Sequence, residues 1–157
     1  MPKLLLLFVF ATALAGCSPK NAAMKLPPGT TMEVYFVVAA SGPNTIPATD
    51  PDTGGPLLLQ TPPIVTTSEI ATVARAATEH DSPSGKQSAP SLTVNLTPAG
   101  TAKLATATAS PAGQKMAVVI NRNVVFVAAL QSPLQGGSFN ISGGKAVAYV
   151  VDALTTQ

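Results

Sequence analysis

Residues 116 to 130 read M-A-V-V-I-N-R-N-V-V-F-V-A-A-L, two apolar runs broken by Asn121-Arg122-Asn123. Each run is far shorter than the roughly 20 residues a membrane helix needs, and Arg122 would stand in the middle of the pair. Neither run can be a span. Two short runs rich in β-branched residues, parted by asparagines that tolerate positive φ, instead specify a β-hairpin. A catalytic role for the break fails for want of partner residues.

The chain opens on M-P-K-L-L-L-L-F-V-F-A-T-A-L-A-G-C. Lys3 supplies a positive start, Leu4 to Ala13 an apolar stretch too short to span a bilayer as a stable helix, and small residues follow: the pattern of an export signal. Leu14-Ala15-Gly16-Cys17 is similar to a bacterial lipobox, in which the cysteine is lipidated and becomes the new N-terminus. Residues 1–16 are therefore expected to be a lipoprotein signal peptide. Cys17 is the only cysteine, so no internal disulfide can staple the fold. One acyl chain anchors marginally at about 0.8 kcal/mol per buried methylene, whereas two or three hold stably. The expected location is the extracytoplasmic face of a bacterial membrane, anchored by lipid and not crossing it. Ser18 resembles the choice that sends such proteins to the periplasmic side of an outer membrane where the cell has one.

After Cys17, S-P-K-N-A-A-M-K-L-P-P-G-T has no period and three prolines. Residues 17–30 read as a flexible tether, and residues 31–157 as one domain, a size that supports a single core. A net charge of +2, no basic cluster and no tryptophan argue against a nucleic-acid groove. T-M-E-V-Y-F-V-V from Thr31 and L-L-L-Q at 57–60 fit strands, with a Pro/Gly-rich loop over 41–56 between them. In P-I-V-T-T-S-E-I-A-T-V-A-R-A-A, residues 63–77, Thr66 and Glu69 have capping-box spacing. Ile70, Val73, Ala74 and Ala77 fall on one helical face, which predicts a helix. A polar loop over 79–90 follows. Leu92, Val94 and Leu96 alternate as a strand, and Thr97-Pro98 starts a helix, with a hydroxyl cap and a proline where its missing N–H is not needed. Strands at 116–120, 124–130 and 138–142 precede a final helix carrying Val147, Val150, Val151 and Leu154. Together these elements predict an α+β domain, a mixed or antiparallel sheet with helices packed on one face.

P-S-L-T-V-N-L-T-P-A-G-T-A-K-L-A-T-A-T, G-Q-K-M-A-V-V-I-N-R-N-V-V and S-P-L-Q-G-G-S-F-N-I-S-G occur in that order. They resemble the head subdomain of the first periplasmic domain of SecD, a subunit of the bacterial preprotein translocase. The likeness is best from Pro90 to Gly143 and extends weakly over Leu57 to Ala77. It implies a strand entering a helix through a Gly-containing turn, here Leu96 to Gly100, then a hairpin, then a segment with Pro133, Gly136 and Ile141-Ser142-Gly143. The family commonly has Asp-Gly at the hairpin where this chain has Asn121-Arg122, and a proline where it has Ala128. Arg122 in place of glycine predicts a loop wider than two residues or shifted in register, with Arg122 exposed at its tip. The last helix carries only Asp152 where the family has paired glutamates. Nothing in these residues resembles the six membrane helices by which the translocase subunit uses the proton gradient. The resemblance therefore implies only contact with an emerging polypeptide, or with an envelope protein, and no cofactor or metal.

Several local patterns imitate chemistry. Glu79-His80-Asp81 sets a carboxylate beside the only histidine, as an acid–base or metal site would. It supports a rival reading, a lipid-anchored hydrolase or metal-dependent enzyme; a purely structural envelope protein is the third. Asp50-Pro51-Asp52-Thr53-Gly54-Gly55 resembles a calcium loop, yet Gly54 and Thr61 stand where oxygen donors are required, so a polar turn is the better reading. Gly143-Gly144-Lys145-Ala146 lacks the first glycine and the hydroxyl of a phosphate loop. Asn95-Leu96-Thr97 is a sequon on a strand.

Overall fold

The computed structural model describes residues 22–110, 113–143 and 145–155. The expected signal peptide and Cys17 lie outside the described residues.

The chain runs β1 (Met32–Val38), β2 (Thr45–Thr49), β3 (Pro56–Gln60), β4 (Ile70–Ser82), β5 (Gly85–Leu96), α1 (Pro98–Ala107), β6 (Lys115–Ile120), β7 (Asn123–Ala129), β8 (Ser138–Ser142) and α2 (Lys145–Thr155). Every strand pair is antiparallel. The α+β expectation holds, with two sheets instead of one: β2-β3-β1-β6-β7 and β4-β5-β8. The larger core lies between them. Met32 and Val34 of β1, Met116 and Val118 of β6, and Val73, Leu92, Val94 and Ile141 of the second sheet meet Leu104 of α1 and Val147, Val151 and Leu154 of α2.

Strand alternation gives the five-stranded sheet a second apolar face. Tyr35, Leu59, Ala117 and Val119 are buried there, with Ala48, Val124 and Val127 packed around them. The sheet curls enough for its edge strands β2 and β7 to approach each other across that face. Tyr35 donates its hydroxyl to Glu33 at 2.9 Å. Burial first, then the bond and charge of Glu33, push the phenol up to about 12.

The hairpin of β6 and β7 carries a correction. Ile120 faces Asn123, so the turn is a tight two-residue Asn121-Arg122 turn and not the wider loop expected. Both residues have positive φ, 49° and 66°, the geometry that matches strand twist. Asn121 is held by its N–H to Thr31 O at 3.0 Å and its Oδ1 from Thr31 N–H at 2.9 Å. Those bonds fix the turn despite the arginine. The register does shift, between Val118 and Val119, and Arg122 is exposed. Through this bulge consecutive residues Val125 and Phe126 both serve the larger core, while Val124 and Val127 serve the smaller one. Arg122→Gly should relieve the left-handed strain and stabilise the domain by about 1 kcal/mol; a urea titration showing no gain would mean the turn pays nothing for its arginine.

The predicted helix over 63–77 is the second correction. Thr66 and Glu69 do pair: the Glu69 carboxylate accepts from the Thr66 N–H at 2.9 Å and from its hydroxyl at 3.1 Å. They close only one 3-10 turn, Thr67–Glu69, after which Ile70 is extended. A helix would need the Glu69 carbonyl to take the Val73 N–H. Instead Glu69 O accepts from Thr97 N–H at 2.8 Å, and Val73 N–H goes to Met24 O at 2.7 Å. Bonds from distant residues outcompete the weak helix preference of an Ala/Thr/Val stretch. The loop predicted over 79–90 is likewise the far half of the β4–β5 hairpin. The 41–56 loop contains β2, leaving turns on either side.

Within the expected tether, Met24 forms a two-bond bridge to Val73, and Met24 and Leu26 pack on the core. The folded unit thus reaches back at least to Met24.

Candidate functional site

The sequence-derived constellation Glu79-His80-Asp81 falls on β4, where it pairs with Lys86, Gln87 and Ser88 of β5. Glu79 and Asp81 are exposed, and Glu79 reaches Lys86 at 3.8 Å with both side chains largely in solvent. Such a pair contributes at most a few tenths of a kcal/mol. Among the described residues, no group of three His, Cys, Asp or Glu is placed to hold a metal ion. The calcium-like loop is a turn: Asp50 accepts from the N–H of Asp52 at 2.9 Å and of Thr53 at 3.1 Å. These amides hold its carboxyl below the ordinary aspartate range.

A concave surface lies elsewhere, between α1 and the 61–65 segment. It is an open groove of about 740 Å³, with Phe36, Pro62 and Ile64 on one side and Ala102, Thr106 and Ala107 on the other. Each wall has a local cause. Segment 61–65 is drawn along β1 because Ile64 N–H donates to Val34 O at 2.7 Å and Val34 N–H returns to Val65 O at 2.9 Å. The Thr61–Pro62 bond is cis. Helix α1 is capped by the Thr97 hydroxyl, which accepts from Gly100 N–H at 3.2 Å, and Pro98 occupies its first turn. The Thr108 hydroxyl ties its end to the segment before β8, donating to Leu104 O at 2.8 Å and accepting from Leu134 N–H at 2.9 Å.

Gln60, Lys103 and Gln114 add polar side chains to the largely apolar lining of the groove. Lys103 is ion-paired to Glu69, which is buried while the lysine is mostly exposed. The oxygen Oε1 of Gln114 is buried and has no hydrogen-bond partner among the described residues. A buried acceptor of this kind is costly until something donates to it. An apolar trough with polar side chains beside it suits an extended peptide segment, which brings side chains and backbone N–H groups together.

The Glu69 carboxyl is held below its usual range by the bond from Lys103 first and by the Thr66 N–H second, against the opposing effect of burial. A depressed folded-state value means stabilisation that is present above the unfolded-state pKa and lost as pH falls through the folded one. Glu69→Gln should therefore cost about 1 kcal/mol at neutral pH. In urea titrations the gap between variant and wild type should close in acid, below a pH of about 4; a gap of constant size would refute the ionic origin.

Phe36, Pro62, Ala107 and Gln114 come from separate parts of the chain, and no local pattern joins them. The one hint in sequence was the Thr97-Pro98 helix start, which sets where α1 stands. A smaller cleft of about 250 Å³ separates β7 from β8, lined by Met116, Phe126, Leu134 and Phe139. Among the described residues, no helix is long and apolar enough to cross a membrane.

Known solved structures include two chains of SecDF with related coordinates. One, from a description of SecDF as a membrane component that enhances protein export, has 18% identity and a TM-score of 0.48, covering 80% of this chain and 61% of that one. The other, SecDF in a super-membrane-facing form, has 17% identity and a TM-score of 0.48, covering 78% and 18%. This chain thus spans about three-fifths of the first and under a fifth of the second. No curated protein matches it significantly. The family model for the P1 head subdomain of SecDF matches residues 44–152. That stretch takes in the walls of the groove from Gln60 to Gln114 and most of both sheets, and the chain belongs to the SecDF P1 head subdomain family.

Proposed function

We propose that this chain is a lipid-anchored, extracytoplasmic protein whose head domain binds segments of exported polypeptide in the groove between α1 and the 61–65 segment, without catalysing a reaction. The family match over residues 44–152 carries this reading, since SecDF is described as enhancing protein export. The groove supports it with the apolar side chains of Phe36, Pro62, Ile64 and Ala107 beside the polar ones of Gln60 and Gln114. Lipidation of Cys17 holds the domain at the membrane surface, where emerging chains pass, on the outer membrane if the cell has one. Glu79, His80 and Asp81 have no part in it.

A photo-crosslinking residue at Ala107, in cells with a defined secretory chain arrested in export, is expected to capture that chain. The same residue at Ile46, exposed on β2 and outside the groove lining, should not. Equal capture at both positions, or none at Ala107, would overturn the groove as the contact. The anchor is tested separately: metabolic palmitate labelling should mark the protein and vanish in Cys17→Ser, which should leave the membrane fraction.

A further inference from the structure

Strands β4 and β5 outrun their sheet. β8 pairs with β5 only from Ser91 to Asn95, so beyond the Ala76–Ser91 pair the two strands pair only with each other, as far as Ser82 and Gly85. A two-stranded ribbon is marginal in water by itself. Its outer edges decide what can steady it.

The bridge to Met24 fixes which groups face outward on β4. Val73 gives its N–H and takes the Met24 N–H at 2.7 and 2.8 Å, so in an antiparallel strand Arg75, Ala77, Glu79 and Asp81 also turn N–H and C=O away from β5. Among the described residues these outward groups have no partner. Ala22, next in line to reach Arg75, makes no such bond. Exposed edges are usually blunted, and the β5 edge is: Pro90 has no donor and Lys86 puts a charge beside it. Between Ile70 and Ser82 β4 has no proline.

The side chains on the open edge have a polarity. Arg75 stands at one end and Asp81 at the other, with Ala77 and Glu79 between. If a second β4 lies antiparallel about a two-fold axis at Thr78, Arg75 faces Asp81 of the second copy twice over, and Ala77 faces its Glu79. All four positions then meet as hydrogen-bonded pairs. Parallel pairing would bring like charges together, and a random extended peptide has no such end-to-end match. Opposite charges directly across an antiparallel pair favour it, and like charges oppose it. Arg75 is partly exposed while bonded to Asp152 at 3.0 Å, so it can receive a second carboxylate.

We propose that two copies of this chain pair edge to edge through Arg75–Asp81 of β4, joining their β4-β5-β8 sheets into one six-stranded sheet. This is independent of what the groove binds.

Sedimentation of the full chain should show a concentration-dependent dimer. Ala77→Pro removes an N–H that β5 does not use, so the ribbon survives while dimerisation weakens by roughly tenfold or more. Asp81→Arg alone and Arg75→Asp alone should each weaken it roughly tenfold. Mixed in equal amounts, these two variants should form a heterodimer of wild-type affinity, because both crossings become Arg–Asp again. Thr78→Cys should cross-link to its twin on oxidation, since the residues at the axis come within about 4.5 Å, whereas Ser88→Cys on the blunted edge should not. A monomer at all concentrations, a dimer indifferent to Ala77→Pro, or no recovery on mixing would each overturn the proposal. So would a wild-type monomer whose β4 edge binds only an extended exported peptide.

Discussion

Leu104→Ala is expected to destabilise the domain by about 3 kcal/mol, read as a lower urea midpoint at unchanged slope. Leu104 is fully buried and, apart from Gly100, is the only buried residue of α1. A ten-residue helix of alanine and threonine does not hold itself together in water. Its apolar hold on the larger core therefore rests on this one side chain, which joins the cluster that includes Val118 and Leu92. The consequence reaches function, because Ala102, Lys103, Thr106 and Ala107 form the helical wall of the groove. Photo-crosslinking from Ala107 should fall with the same substitution. A loss below about 1 kcal/mol would show that the site collapses around the alanine and that α1 is held by other means.

Gly100→Ala should also destabilise, by up to about 2 kcal/mol, although alanine is the better helix former. The gain in helix propensity is about 1 kcal/mol. Against it, a Cβ at Gly100 would sit 2.7 Å from the Glu69 carbonyl oxygen and 3.0 Å from the Glu69 Cβ. Neither atom can give way freely, since the carbonyl holds Thr97 N–H and the carboxylate holds Thr66 and Lys103. Overpacking of this kind costs roughly 1–3 kcal/mol, so the clash wins. Gly100→Val should cost more. A neutral or stabilised Gly100→Ala would mean that the 3-10 turn yields and that its contact with α1 is soft.

That contact explains where sequence reasoning succeeded and where it stopped. The strand at 138–142, the α1 start at Thr97-Pro98 and the helix at Val147 to Leu154 were legible because each signal is local: an alternation, a cap, a helical stripe. The glycine in the turn from Leu96 to Gly100 was visible too, but not its reason, which is the closeness of Glu69. The Thr66–Glu69 pair was found and its meaning misread, because one helical turn and a whole helix begin alike. The choice between them belonged to Met24 and Thr97, which take the bonds a helix would have used. Arg122 misled for the same kind of reason: glycine is favoured in a two-residue turn, but the bonds between Asn121 and Thr31 hold the turn without it.

By itself the sequence determined the α+β character of the chain, most element positions and the family, because periodicity, caps and turn residues act over a few neighbours. It also supplies the expectation of a lipid anchor at Cys17. Only the tertiary structure decided that 70–82 is a strand, that it extends as an open-edged ribbon, and that Phe36, Pro62, Ala107 and Gln114 share one groove. Those outcomes rest on hydrogen bonds and packing between residues far apart in the chain. Such contacts act on a segment from outside it, and its own residues carry no mark of them.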